Sequence, residues 1–185
     1  LKKTVYQRAL GPDFEKLHPH LQRIHSAEHG SLNKGVFNVT RGKGWLRNLV
    51  ATLMGLLPQG KELPTTLLIR PNGEKERWSR SFGKASFDST HRAEGGYLIE
   101  SVGPVSLAFQ MGAPDGSMTM DCVRVYFLGI PIPKWLSPTT DAVATPNETG
   151  WHVLVRMGVP ILGELVRYEG TVETVEVFDA PHPEG

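Results

Sequence analysis

The sequence predicts an α+β fold, with N-terminal helices followed by a long antiparallel meander curled into a barrel-like sheet. Three observations predict it. Apolar residues at helical spacing are confined to the first 60 residues. From residue 62 to residue 178, short runs rich in β-branched and aromatic residues alternate with glycine, proline and Asp-Gly turns at hairpin spacing. The helices precede the strands, so they cannot be crossovers between parallel neighbours. A meander this long hides its edges by curling or closing.

The elements follow in order. Gly11-Pro12-Asp13 marks a helix start with Asp13 as cap, and Phe14, Leu17, Leu21 and Ile24 recur at helical spacing. Pro19 breaks this run or opens a second short helix, and Gly30 is its stop. Gly35 to Thr40 reads as a strand, and Arg41-Gly42-Lys43-Gly44 as a turn. Trp45 to Leu57 is a helix with a broad apolar face, ended by Pro58-Gln59-Gly60. Leu67-Leu68-Ile69 runs into a hairpin turn at Pro71-Asn72-Gly73, and Glu76 to Phe82 follows. Gly95-Gly96 separates two further candidate strands; Gly103-Pro104 splits Tyr97–Val102 from Val105–Gln110; Asp115-Gly116 precedes Met118–Leu128. Four prolines mark 129–147 as a long irregular loop, and Trp151–Met157 and Leu165–Phe178 are the last strands. Eight or nine strands result. The expected organisation is one domain over 1–185, with a helical part (1–60), a sheet (62–178) and a frayed tail (179–185).

Composition excludes several classes. A core of this size needs no metal or disulfide staple, and a lone Cys122 permits no intrachain disulfide. A net charge of +1 argues against a nucleic-acid partner. No apolar run follows Leu1-Lys2-Lys3-Thr4, so no signal peptide is visible. The stretch Trp45 to Pro58 contains Arg47 and Asn48 and is too short for a transmembrane segment. The expectation is a soluble, cytoplasmic protein.

Certain residues carry a resemblance. Tyr6 and Leu10-Gly11 precede Leu17-His18-Pro19 and His25; Gly42-Lys43-Gly44 precedes the apolar helix. Then come Trp78-x-Arg80-x-Phe82, Glu100 with Gly103-Pro104, Leu128-Gly129-Ile130-Pro131-Ile132-Pro133, and Gly163-x-Leu165-x-x-Tyr168-x-Gly170. From Tyr6 to Val172 the chain resembles the bacterial domain of unknown function 4166 family. Its members stand alone or lie C-terminal to dehydrogenase-like or membrane domains. The resemblance therefore implies an attached or associated oxidoreductase as one partner, and no established activity.

Three constellations can carry chemistry. His25-Ser26-Ala27-Glu28-His29 has the H-x-x-E-H spelling of inverted zinc peptidases. The only later helix offers no carboxylate as third ligand, so a polar helix end is the better reading and no metal or cofactor is expected. Arg41-Gly42-Lys43-Gly44 can hold an anion at a helix start, but lacks the P-loop spacing; a solvated turn is preferred. The third set lies on strands. Trp78, Arg80 and Phe82 share a face, as do Leu98, Glu100 and Val102, and Cys122, Arg124, Tyr126 and Leu128; Tyr168 alternates with Arg167 and Glu169. Charges flanked by apolar neighbours on their own face imply burial, and a buried charge needs a partner. Arg80 and Glu100 are expected to meet, either as a structural ion pair or as anchors in an apolar cavity. Cys122 reads as an inert core residue.

Two function classes follow. In one, the curled sheet binds a hydrophobic small molecule, with Arg80, Glu100, Trp78, Arg124 and Tyr168 around it and the helix bearing Trp45 and Leu53 gating the cavity. In the other, an enzyme or oxidoreductase accessory domain uses the same polar groups for acid/base chemistry. A purely structural domain is the third reading.

Overall fold

The first element forms where Thr4 and Gln7 satisfy each other's backbone. In the computed structural model, which describes residues 3–179, the Gln7 N–H donates to the Thr4 hydroxyl and the Thr4 N–H to the Gln7 side chain. This capping box opens α1 (Val5–Leu10), a helix the apolar spacing does not announce. The expected helix at Asp13 is instead a 3₁₀ turn, Gly11–Lys16, in which Lys16 pairs with Asp13 at 2.7 Å. Pro19 opens α2 (Pro19–His25) at its first position.

The chain then runs through β1 (Ser31–Arg41) into α3 (Trp45–Leu53). The expected helix reached Leu57; the structure ends it earlier, because Gly55 turns into the left-handed region at φ +66°. Ten strands follow: β2 (Gly60–Asn72), β3 (Lys75–Phe82), β4 (Ala85–Glu94), β5 (Tyr97–Val102), β6 (Val105–Gly112), β7 (Met118–Phe127), β8 (Ile130–Pro131), β9 (Thr139–Pro146), β10 (Gly150–Val159) and β11 (Gly163–Val177). The expected loop 129–147 therefore contains β9. Its prolines misled the sequence reading: Pro138 precedes the strand and Pro146 closes it, where a missing N–H is tolerated. Between them Thr139–Thr145 pairs with β10 and, in part, with β7.

All pairings are antiparallel. Neighbours follow chain order, β1 pairs with β11, and β6 pairs with β7, so ten strands close into a meander barrel. The two-residue β8 folds back on β7 where β9 leaves it. At the β1–β11 seam Phe37 faces Gly170. A Cβ on Gly170 would lie 2.1 Å from the Val36 carbonyl oxygen and 2.7 Å from the Phe37 ring, so only glycine lets that ring lie flat over the seam. Phe37 in turn meets Phe82 edge-on at 5.4 Å.

The helices plug one end of the barrel. Tyr6, Leu10, Leu21 and Ile24 are buried in the same core as Trp78, Leu98, Phe109 and Trp151. The His18 N–H donates to the Gly116 carbonyl at 2.9 Å, and the Arg8 guanidinium to the Glu74 carbonyl, tying the plug to turns at that end. At the opposite end α3 packs beside the ends of β1 and β11. Arg41 clasps the segment after it, donating to the Leu57 carbonyl (2.9 Å), the Leu56 carbonyl (2.6 Å) and the Thr52 hydroxyl (3.0 Å). Arg41 is thus occupied by oxygens of α3 and of the segment that follows it. Among the described residues, no helix is long and apolar enough to cross a membrane.

The seam yields a prediction. Gly170→Ala should lower stability by about 1–3 kcal/mol through overpacking, read as a lower urea midpoint at unchanged m-value.

Candidate functional site

Three neighbouring strands, β3, β4 and β5, place a polar row on the barrel's inner face. Glu76 is paired across with His91, Trp78 with Ser89 and Arg80 with Phe87; His91 also faces Glu100. Arg80 is long enough to reach diagonally over β4. Its Nη1 donates to Glu100 Oε1 at 2.9 Å and to the Ser89 hydroxyl at 2.7 Å. Its guanidinium lies 4.8 Å from the Trp78 ring centre and 5.3 Å from that of Phe87. The cation is therefore held by a carboxylate on one side and by aromatic faces on others.

The donor inventory fixes the protons. Glu100 is ionised and can only accept, so His91 Nε2, 3.1 Å away, donates to it. His91 Nδ1 must then accept, and the Tyr6 hydroxyl donates to it at 2.9 Å. Tyr6, His91, Glu100 and Arg80 form one chain from the helical plug into the wall. Burial alone would raise the Glu100 carboxyl; Arg80 first, then His91, outweigh it and hold it well below the usual carboxylate range. Burial holds His91 below its ordinary value against the pull of Glu100, so the ring is neutral. Above it lie Trp78, stacked at 4.5 Å, and on the plug side His25, stacked on Tyr6 at 3.9 Å. Burial, with His91 nearby, pushes His25 down to about 3. Glu76 sits behind this layer, accepting from the Trp78 indole (3.2 Å) and the Val5 N–H (3.3 Å), and burial pushes it up to about 7.

In front of the row is a cavity of about 190 Å³. Its wall is mainly apolar, with Phe37, Phe82, Phe109, Met118, Trp151 and Val172 among its residues. It runs from Tyr6, Ile24 and His25 at the plug to Val102, Thr140 and Met157 near the far end. Two wall atoms are buried without a hydrogen-bond partner among the described residues, His25 Nδ1 and Thr140 Oγ1. The Tyr168 phenol also faces the cavity, and burial pushes it up to about 12, so it is a neutral donor.

Of the expected site residues, Arg80, Glu100, Trp78 and Tyr168 come together on this wall. Arg124 does not. A bulge at Val123, where Phe109 pairs with Cys122 and Ala108 with Arg124, shifts the pleat by one and turns Arg124 to solvent. Trp45 is exposed on α3, and no described α3 side chain lines the cavity; the Leu53 side chain lies outside the described ones. Among the described side chains none of α3 reaches the cavity as a gate would, and α1 and α2 close one end of the barrel. His25 and His29 share no helix face, because α2 ends at His25, whose ring is buried in the stack. Cys122 packs against the core with its thiol pushed up to about 11 by burial. The sequence reading missed His91, Ser89 and Thr140. Counting outward from the turns at Gly83-Lys84 and Gly95-Gly96 aligns Glu76, His91 and Glu100 in one row, a signal available without a structure.

The family model for the domain of unknown function DUF4166 matches residues 17–172. The chain belongs to the DUF4166 family. This DUF4166 chain is also similar to the uncharacterized protein YndH of Bacillus subtilis (strain 168), 23% identical over 201 residues, covering 94% of this chain and 98% of that protein. Among solved structures it resembles a protein of unknown function from the DUF3598 family of Nostoc punctiforme PCC 73102, with a TM-score of 0.52 and 16% identity. That match covers 78% of this chain and 47% of the other, so the DUF4166 chain spans about half of that protein and shares its barrel fold.

Two predictions test the buried network. Arg80→Ala leaves the Glu100 carboxylate unpaired and should cost about 3–5 kcal/mol, whereas a paired Arg80→Leu, Glu100→Leu variant should recover most of that loss in urea unfolding. The second concerns pH. Folded His25 refuses, between about pH 6.5 and 3, a proton that the unfolded chain accepts, so stability falls as pH drops through that window. Folded Glu76 keeps, between about pH 4.5 and 7, a proton that the unfolded chain has lost, so stability falls as pH rises there. These are of order 5 and 3 kcal/mol and oppose each other where the windows overlap. Glu76→Gln should therefore expose a steeper loss towards acid, and His25→Phe a shallower one, in urea midpoints measured from pH 4 to 8.

Proposed function

We propose that the barrel is a binding module for a small, mainly apolar molecule that carries a polar group. The observation behind this reading is the pairing of an apolar wall with polar atoms that lack protein partners: the buried His25 Nδ1 and Thr140 Oγ1, and the neutral Tyr168 phenol beside Arg80. Buried polar atoms are normally satisfied, so atoms left over on a cavity wall favour a polar group brought by a guest. Size limits the guest. An apolar cavity of about 150 Å³ accepts benzene, so roughly ten heavy atoms fit inside, or the end of a longer chain.

Binding is favoured over acid/base catalysis by the state of the wall groups. Glu100 is firmly ionised by Arg80, His25 is held at about 3 and Tyr168 at about 12. None of these three is poised near neutral pH, where a general acid or base works best, and His91 has both ring nitrogens engaged by Tyr6 and Glu100. Glu76, which is so poised, lies behind Trp78 and outside the cavity. The family resemblance is the sole ground for an oxidoreductase partner.

Native mass spectrometry for a co-purifying molecule, followed by calorimetry with decanoate and decanol, tests the proposal. Tyr168→Phe should weaken binding of the better probe about tenfold. Ala142→Phe, which fills the cavity, should abolish binding without lowering the melting temperature. No bound molecule and no binding of either probe, or equal binding by the filled variant, would overturn the reading.

A further inference from the structure

The open end of the barrel is built differently from the plugged one. Three segments form one continuous arc of its rim: residues 42–61, carrying α3 beside β1 and β11; residues 159–163, joining β10 to β11; and residues 127–138, joining β7 to β9. Ten of the fourteen large apolar side chains found exposed among the described residues lie in these segments. They include Trp45, Leu49, Leu128, Ile130, Trp135 and Ile161. Side chains of this kind scattered singly over a surface need no explanation, but concentration on one rim does.

Charge follows the same division. The three segments contain Lys43, Arg47, Lys61 and Lys134, and two exposed carboxylates, Glu62 and Glu164, adjoin them one residue beyond their ends, so the rim keeps an excess of cations; the rest of the chain carries sixteen cations and nineteen carboxylates. The turns at the plugged end hold exposed Glu74, Glu94, Asp115 and Glu148 against exposed Lys75. The molecule is therefore polarised along the barrel axis despite a net charge of +1.

We propose that this rim docks the barrel, open end down, on the surface of an anionic lipid bilayer. Each part of the arrangement fits that occupant. Tryptophan is suited to the headgroup level, with an apolar ring and one polar N–H. Lysine and arginine beside an apolar helix face are the mark of an interfacial helix, which lies in the plane of the surface. A rim made of three separate loops suits a deformable layer better than a protein groove. A second copy is disfavoured as occupant, since two rims would each bring an excess of cations to the contact. The proposal stands apart from the cavity reading, although docking in this orientation would turn the far end of the cavity towards the bilayer.

The tryptophans provide the test. Trp45 and Trp135 are 77% and 68% exposed on the rim, while Trp78 and Trp151 are 8% and 6% exposed inside the barrel. Protein is mixed with vesicles of phosphatidylcholine, with or without about 30% phosphatidylglycerol, and binding is read by co-sedimentation. Binding should require the anionic lipid and weaken about tenfold or more when salt is raised from about 0.05 M to 0.5 M. Brominated lipids should quench part of the emission, and that part should disappear in a Trp45→Phe, Trp135→Phe variant. Lys43→Glu with Lys134→Glu, and separately Trp135→Ser with Leu136→Ser, should each weaken binding about tenfold at unchanged melting temperature. The cavity-filled Ala142→Phe variant should dock like the parent, which separates this proposal from ligand binding. No binding to anionic vesicles at low salt, binding unaffected by the rim changes, or a dimer in sedimentation that shields both rim tryptophans would each overturn it.

Discussion

The ionised carboxylate of Glu100 is the constraint around which the interior is arranged. A charge held inside a β-barrel is costly unless its oxygens are met. Meeting them requires the Arg80 guanidinium, the Ser89 hydroxyl and the His91 N–H, drawn from two other strands. Those demands propagate. His91, with one nitrogen committed to Glu100, offers the other as an acceptor, and the Tyr6 hydroxyl supplies the proton there. The seat of the helical plug is thereby specified by a hydrogen bond as well as by shape. Arg80, drawn across β4, lies against Trp78 and Phe87, and the flat stack of Trp78, His91, Tyr6 and His25 follows from that geometry.

Polar groups of this kind confer specificity more than net stability. Apolar patterning already disfavours a slip of strand register, which would turn the apolar set outward, but it specifies the seat of the plug less sharply. A carboxylate that can be satisfied in one arrangement only penalises the others, since a slip by one residue would send Glu100 to solvent and leave Arg80 buried alone. The same rigidity suits a cavity whose wall keeps a few polar atoms in fixed positions.

Much of this was legible in the sequence, and the limits have physical causes. Alternation placed Arg80 and Glu100 on inward faces, because period-two patterning survives wherever a strand is uninterrupted. The same rule misplaced Arg124, since a bulge at Val123 inserts one residue and inverts the pleat beyond it, and nothing in the local sequence announces the insertion. Proline content hid β9, because proline at a strand's margins looks like proline in a loop. The breadth of the α3 apolar face suggested contact on two sides; the structure leaves much of it on the rim, and periodicity cannot tell a covered apolar face from an exposed one. The capping box at Thr4 and Gln7 was readable, and the short apolar span behind it concealed the helix.

Closure between the first strand and the last has a consequence for how the chain acquires its structure. β1 finds one neighbour within a few dozen residues, but its other neighbour, β11, is separated from it by all the other strands of the barrel. Until that last strand has left the ribosome, the sheet is an open ribbon with two bare edges, and the ionised interior row is still wet. Closing it is a long-range event of the sort that sets slow folding, because loop entropy is surrendered before the contacts that repay it are made. The nascent chain thus exposes pairing-competent edges throughout its synthesis, and protection from aggregation arrives in a single late step rather than gradually.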